Sequence, residues 1–164
     1  MAGVDFDALF APPSASEIAL VRTLWEERNV EVGQSEVEAE GAIPLGDGMG
    51  NVRVLSHVVD GNRHYGAIVI PESPIDAMPV LLFPHYFDGA MDVMATQLLL
   101  NVVIDPTSFI FVYPSFRSKT LVFGGESFVS EGSSSPWDGD VDDGLAFLHI
   151  ALENTPQADP ACIS

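Results

Sequence analysis

A single cysteine, Cys162, stands in 164 residues, so no intramolecular disulfide can form and no second thiol is present to share a metal. Cations are nearly as scarce. Six Lys and Arg, with Lys119 the one lysine, face 24 Asp and Glu, and the net charge of −18 repels phosphate backbones and anionic headgroups. This argues against a nucleic-acid or membrane partner. Long apolar runs are missing too: Leu98 to Ile104 is interrupted by Asn101 and closed by Asp105 and Pro106, short of the roughly 18 residues of a membrane span. The chain opens Met-Ala-Gly-Val-Asp-Phe-Asp, acidic where a secretory signal is basic and then apolar. The expectation is a cytoplasmic protein, or a secreted one whose signal has been removed. Internal repeats are also lacking, and Gly132 to Pro136 is too short a polar patch to link two domains.

What is present suits a packed core, since 47% of the residues are hydrophobic. Ser14 to Arg28 predicts an amphipathic helix lying against something larger: Ser14 and Ser16 offer N-caps, Glu17 sits in the first turn, and Ile18, Val21, Leu24 and Trp25 keep helical spacing. The glycine-rich stretch Gly41 to Asn51 reads as turns. Val52 to Val59 and His64 to Ile70, joined by Asp60-Gly61-Asn62, predict a β-hairpin. Pro79 to Phe83 and Phe109 to Tyr113 are apolar without alternation, the pattern of strands buried on both faces. Asp92 to Val103 between them reads as a helix capped by Asp92, completing a β-α-β unit. Val141 to Asn154 predicts a last helix with acidic residues at the positive end of its dipole, stopped by Pro156. Asp159 to Ser164 looks like the start of a further strand that the chain ends too soon to form. This order of elements is α/β.

Three stretches within that order resemble the α/β-hydrolase fold, and within it the prolyl-oligopeptidase and dienelactone-hydrolase-like serine hydrolases. Pro79-Val-Leu-Leu-Phe-Pro-His85 resembles the strand ending in an oxyanion-hole histidine turn, and Val112-Tyr-Pro-Ser-Phe-Arg117 the strand ending in a proline-x-x-arginine turn. Trp137-Asp138 through Asp142-Asp143-Gly-Leu-Ala-Phe-Leu148 resembles the helix before the nucleophile strand. The resemblance implies a partial hydrolase sheet made of a first hairpin, a β-α-β unit and a following helix, truncated before the nucleophile strand. Residues 1–51 then form an N-terminal helix and turn-rich lead-in, and residues 52–164 the amino-terminal half of the hydrolase domain.

The implied chemistry is ester or peptide hydrolysis through an acyl-enzyme, with no cofactor. The G-x-S-x-G elbow that would expose a nucleophilic serine is absent, and neither Ser35 nor Ser127 has the second glycine or the preceding strand. In the family's chain order the acid and the base come later still, so this chain alone is expected to be inactive. His85, Tyr86 and Phe87 are the oxyanion-hole candidates: the amides of Tyr86 and Phe87, or the Tyr86 hydroxyl, would donate to the developing oxyanion. His85 also reads as an ordinary hydrogen-bonded turn histidine.

Arg117, isolated among acids, is expected to pair with a carboxylate inside the fold and, with Asp142 and Asp143, to support the site. A triad of His149, Asp142 or Asp143 and one of Ser133 to Ser135 lacks a strand to hold the serine. Counted from Asp138, a calcium loop fails at its sixth and twelfth positions, Asp143 and His149, so no metal is expected. The expected partners are a missing carboxy-terminal half, or a second copy joined through the bare edge of Val80 to Phe83. The non-catalytic alternative is a hydrolase-like binding module.

Overall fold

A computed structural model describes residues 11–26, 28, 30, 32–84, 89–135 and 139–164. Ser14 opens α1 (Ala15–Glu26) with a reciprocal cap, its hydroxyl accepting from the Glu17 amide at 3.2 Å while the Glu17 carboxylate accepts from the Ser14 amide at 2.7 Å. The helix is where the sequence places it, but its apolar stripe is not covered by the described residues. Every side chain from Ala15 to Leu24 is exposed, Leu20 and Leu24 by 60% and 58%.

The main sheet begins one strand earlier than expected. The stretch read as turns is mostly β1 (Glu36–Leu45) and the start of β2 (Gly48–Val59), joined through Gly46 at φ +60°. β2 and β3 (Asn62–Pro71) form the expected hairpin; Asp60 and Gly61, at φ +51° and +76°, make the two-residue turn whose twist matches the strands. β4 (Met78–Leu82) leads through a two-residue β5 (Met91–Asp92) into α2 (Val93–Val103), whose cap Asp92 accepts from the Ala95 amide at 2.9 Å. β6 (Ile110–Ser115) returns beside β4. A second hairpin, β7 (Thr120–Phe123) and β8 (Glu126–Val129), turns on Gly124 and Gly125 and pairs with β5 in a small separate sheet. α3 (Gly139–Asn154) then runs to β9 (Ala158–Ile163).

The six-stranded sheet has the order β1-β2-β3-β6-β4-β9, antiparallel up to β6 and parallel from β6 to β9. This is the expected α/β architecture, a partial α/β-hydrolase-like sheet, with one correction. The final strand does form: β9 pairs with β4, Met78 opposite Ala158 and Val80 opposite Ile163, so the edge expected to be bare on β4 is covered and β9 carries the outer edge. Two amide bonds close it, Leu82 N–H to Ser164 O at 2.8 Å and Ser164 N–H to Val80 O at 2.9 Å. β9 blunts that edge locally, because Pro160 has no N–H and the Asp159 carboxylate occupies the Ala161 amide at 2.9 Å.

Alternation along the strands sorts the core into two layers. Ala67, Val69, Phe111 and Tyr113 face α2 and β1, whereas Ile68, Ile70, Ile110 and Val112 face α3. The two helices therefore cover opposite faces. Tyr113 is fully buried, which pushes its phenol above the usual value, and its hydroxyl donates to Gln97 Oε1 at 2.6 Å; Gln97 donates to Asn101, and Asn101 to the Pro44 carbonyl on β1. This polar chain fixes the rotation of α2 on the sheet.

Across the other face α3 approaches β3 closely enough to require glycine. A Cβ on Gly66 would stand 2.4 Å from the Phe147 ring, and Phe147 is itself fully buried. Gly66→Ala is expected to destabilise the fold by about 1–3 kcal/mol, since neither β3 nor the ring can retreat. Thermal melts check this: pairing Gly66→Ala with Phe147→Leu should recover part of the loss, and a neutral single variant would contradict the packing.

Candidate functional site

The strand order places a reversal of winding between β4 and β9. From β4 the chain crosses one face by α2 to β6, and from β6 it crosses the other face by α3, past β4, to β9. In open α/β sheets ligands bind at the carboxyl ends of strands at such a reversal, where the two connections leave in opposite directions and open a crevice. Here that rim carries Phe83 and Pro84 after β4, Phe116 and Arg117 after β6, and Ser164 after β9.

A cleft of about 290 Å³ opens at the end of β4, lined by Phe83, Ala90, Met91, Asp92, Ala95, Thr96 and Leu99. Asp92 and Thr96 are the polar residues in it, and the Asp92 carboxylate already caps α2. The oxyanion candidates His85, Tyr86 and Phe87 lie outside the described residues. Phe83, two residues before His85 in the chain, lines the cleft.

At the neighbouring end of β6 the guanidinium of Arg117 pairs with Asp143 in the first turns of α3. Nε donates to Oδ2 at 3.0 Å, Nη2 donates to Oδ1 at 2.7 Å, and the Arg117 amide donates to Oδ2 at 2.9 Å. Asp143 is 1% exposed, and its hydrogen bonds hold Arg117 above the ordinary guanidinium value. The space for the guanidinium exists because residue 139 is glycine, whose Cβ would stand 2.5 Å from Arg117 Cζ. Arg117 thus joins the rim of β6 to α3, the carboxylate pairing that its isolation suggested. Asp142 has a different partner, forming an ion pair with Arg28.

His57 and His64 are opposed across β2 and β3 beneath the same helix, with ring centroids 5.8 Å apart and both side chains buried. Among the described residues none of their four ring nitrogens has a hydrogen-bond partner, and His64 Nδ1 stays 3.6 Å from Asp143 Oδ2. Burial, then the neighbouring His64, pushes His57 down to about 4, with Asp143 opposing; burial also lowers His64. Both imidazoles sit in the layer beneath α3, His57 with its ring centroid 5.4 Å from that of Phe147. His149 is exposed and lies 3.3 Å from Glu153, while Asp142 and Asp143 are held by arginines, so the triad sketched around Ser133 to Ser135 is not assembled. Among the described residues no serine or cysteine hydrogen-bonds a histidine, and no group of three His, Cys, Asp or Glu is placed to hold a metal.

The Leu82–Ser164 juncture was not legible as a site, because it depends on β9 seating beside β4. The signal for β9 was the X-Pro turn followed by small and branched residues.

No protein-family model and no curated protein sequence matches this chain. Among the solved structures that resemble it are two acetyl xylan esterases. An acetyl xylan esterase 1 from Thermoanaerobacterium sp. aligns over 92% of this chain and 49% of its own, at 16% identity and a TM-score of 0.49. An acetyl xylan esterase from a Paenibacillus species aligns over 98% of this chain and 50% of its own, at 14% identity and a TM-score of 0.45. The chain thus spans about half the length of either.

Proposed function

We propose that this chain is the amino-terminal half of a serine hydrolase sheet, close to the prolyl-oligopeptidase and dienelactone-hydrolase-like branch, and that its rim serves the hydrolysis of an ester or peptide bond through an acyl-enzyme. One observation carries the reading: β9 lies parallel to β4 at the reversal of winding, which brings Ser164 beside Leu82, three residues before His85. A strand seated there delivers whatever follows it to the cleft.

In this reading each part of the rim has a stated task. The turn of His85, Tyr86 and Phe87 supplies donors to the oxyanion, from the backbone amides of Tyr86 and Phe87 or the Tyr86 hydroxyl. The Arg117–Asp143 pair holds the end of β6 against α3, so that the floor beneath the cleft does not shift during acyl transfer. Phe83 and Leu99 give the acyl group an apolar border. The nucleophile comes from a strand-to-helix turn after β9, and the acid and base come from a carboxy-terminal half, so the chain by itself does not turn over.

The test starts from the source DNA. A G-x-S-x-G turn directly after the Ser164 codon, or at the start of an adjacent reading frame, is expected. The two segments produced together should hydrolyse p-nitrophenyl acetate and take a fluorophosphonate label on that serine, while the 164-residue chain alone does neither. Labelling of the chain alone, or DNA with no such turn, overturns the proposal. The second outcome favours a hydrolase-like binding module that uses the same cleft.

A further inference from the structure

The side of α2 that enters the cleft beside β4 is ordered by charge as well as by shape. Asp92, Ala95, Thr96 and Leu99 follow the i, i+3, i+4, i+7 spacing, so they share one side of the helix, and all four line the cleft. Phe83 and Met91 border it from the strands. A volume of about 290 Å³ lies at the low end for a ligand pocket, enough for one short apolar body and too little for a long chain.

The polar end of this apolar cleft is negative. Asp92 is exposed, and only Oδ1 is engaged, by the Ala95 amide at 2.9 Å; Oδ2 has no hydrogen-bond partner among the described residues. No Lys or Arg is among the residues that line the cleft, and α2 itself carries no charge that could offset the carboxylate. The positive end of the helix dipole amounts to about half a charge, so the full charge of Asp92 leaves the site negative. The net charge of −18 adds a field of the same sign around it.

We infer that the cleft selects substrates whose acyl part is a short apolar body carrying an ammonium group, that is, aminoacyl esters or peptides with a free amino terminus. The apolar body lies against Phe83 and Leu99, the ammonium donates to Asp92 Oδ2, and the Thr96 hydroxyl, one helical turn along, is the second acceptor within the cleft. Acyl groups that carry a carboxylate are disfavoured twice, by Asp92 at short range and by the field of the whole chain at long range. The inference rests on the reading of this rim as a hydrolase site, but the charge preference needs only residues of this chain.

Nuclear magnetic resonance titration of the 164-residue chain with n-butylammonium, butyramide and butyrate tests this, read at the amides of Asp92, Ala95, Thr96 and Leu99. At low salt butylammonium should bind about fivefold more tightly than butyramide, the upper range for an exposed ion pair, and butyrate should give no saturating shift at these amides. High salt should bring butylammonium close to butyramide. Asp92→Asn keeps the cap of α2, because asparagine caps as well as aspartate, and should erase the preference with the helix content unchanged. Butyrate binding as well as butylammonium, a preference that survives Asp92→Asn, or no saturable shift with any of the three overturns the inference. In the two segments produced together, leucine ethyl ester should be cleaved faster than N-acetylleucine ethyl ester at low salt. A serine that takes the fluorophosphonate label without that preference overturns the charge selection alone, whereas a complex that takes no label overturns the hydrolase reading.

Discussion

Asp143→Ala should cost about 3–5 kcal/mol of unfolding free energy, the penalty for leaving one member of a buried ion pair without its partner. Arg117 keeps only 14% of its side chain exposed and directs two guanidinium bonds and its own amide at this one carboxylate. The nearest substitute, Asp60, stands 3.8 Å from the guanidinium but is 70% exposed, so water screens most of what it could return. Asp143→Asn keeps one acceptor for the guanidinium and should fall between the native protein and the alanine variant. Urea unfolding of the single variants and of Arg117→Met with Asp143→Leu forms the test. The doubly apolar protein is expected to regain much of the loss, because no charge is then left buried. A loss below about 1 kcal/mol for Asp143→Ala would mean that water reaches the guanidinium and that the pair does not pin α3 to β6.

That pair also shows where the sequence was informative. Arg117 could be read as a partner-seeking cation because the chain holds five other cations, and the acids ahead of the last helix were the obvious candidates. Spacing could not say that Asp143 would take it while Asp142 went to Arg28, since the choice depends on the rotation of α3 and on the missing Cβ of Gly139. The β2–β3 hairpin was legible from Asp60-Gly61, and the β4-α2-β6 unit from apolar runs around a capped helix.

β1 was missed because glutamates and a glycine rich neighbourhood masked its alternation. Ala39, Ile43 and Leu45 do point inward at even spacing, and the remainder of the strand is exposed. β9 was read only as the start of a strand that could not form, for a different reason. An edge strand of six residues, four of them exposed, carries little apolar signal and exists because β4 offers it amides and carbonyls. The outward side of α1 follows the same logic in reverse, since periodicity reveals an apolar stripe but not the surface that covers it.

Acid should destabilise the fold through His57 before the carboxylate pairs are protonated. An unfolded histidine takes up its proton near pH 6.5, whereas His57 in the folded protein resists until about pH 4, because the proton would bring charge into a buried site beside His64. Below pH 6.5 the unfolded chain therefore binds more protons than the native one, and stability falls with falling pH until the folded group also titrates near 4. For this one residue the loss between pH 7 and 5 is about 2 kcal/mol.

His64 is lowered in the same direction and adds to the loss, although Asp143 works against it. Around the two rings the charged neighbours are Asp143 from α3, Arg117 from the end of β6, Asp60 from the hairpin turn and Glu131 beyond β8. Relief of the −18 charge as surface carboxylates protonate acts in the opposite sense, so the histidine term must be isolated by difference. His57→Leu fills a similar volume against Phe147, whose ring centroid lies 5.4 Å from that of His57, and cannot take a proton. The gap between native and His57→Leu unfolding free energies should therefore change by about 2 kcal/mol in favour of the variant from pH 7 to 5. A gap that stays constant with pH would show that the folded protein accepts the proton on His57 as readily as water does, and that the space under α3 is wet.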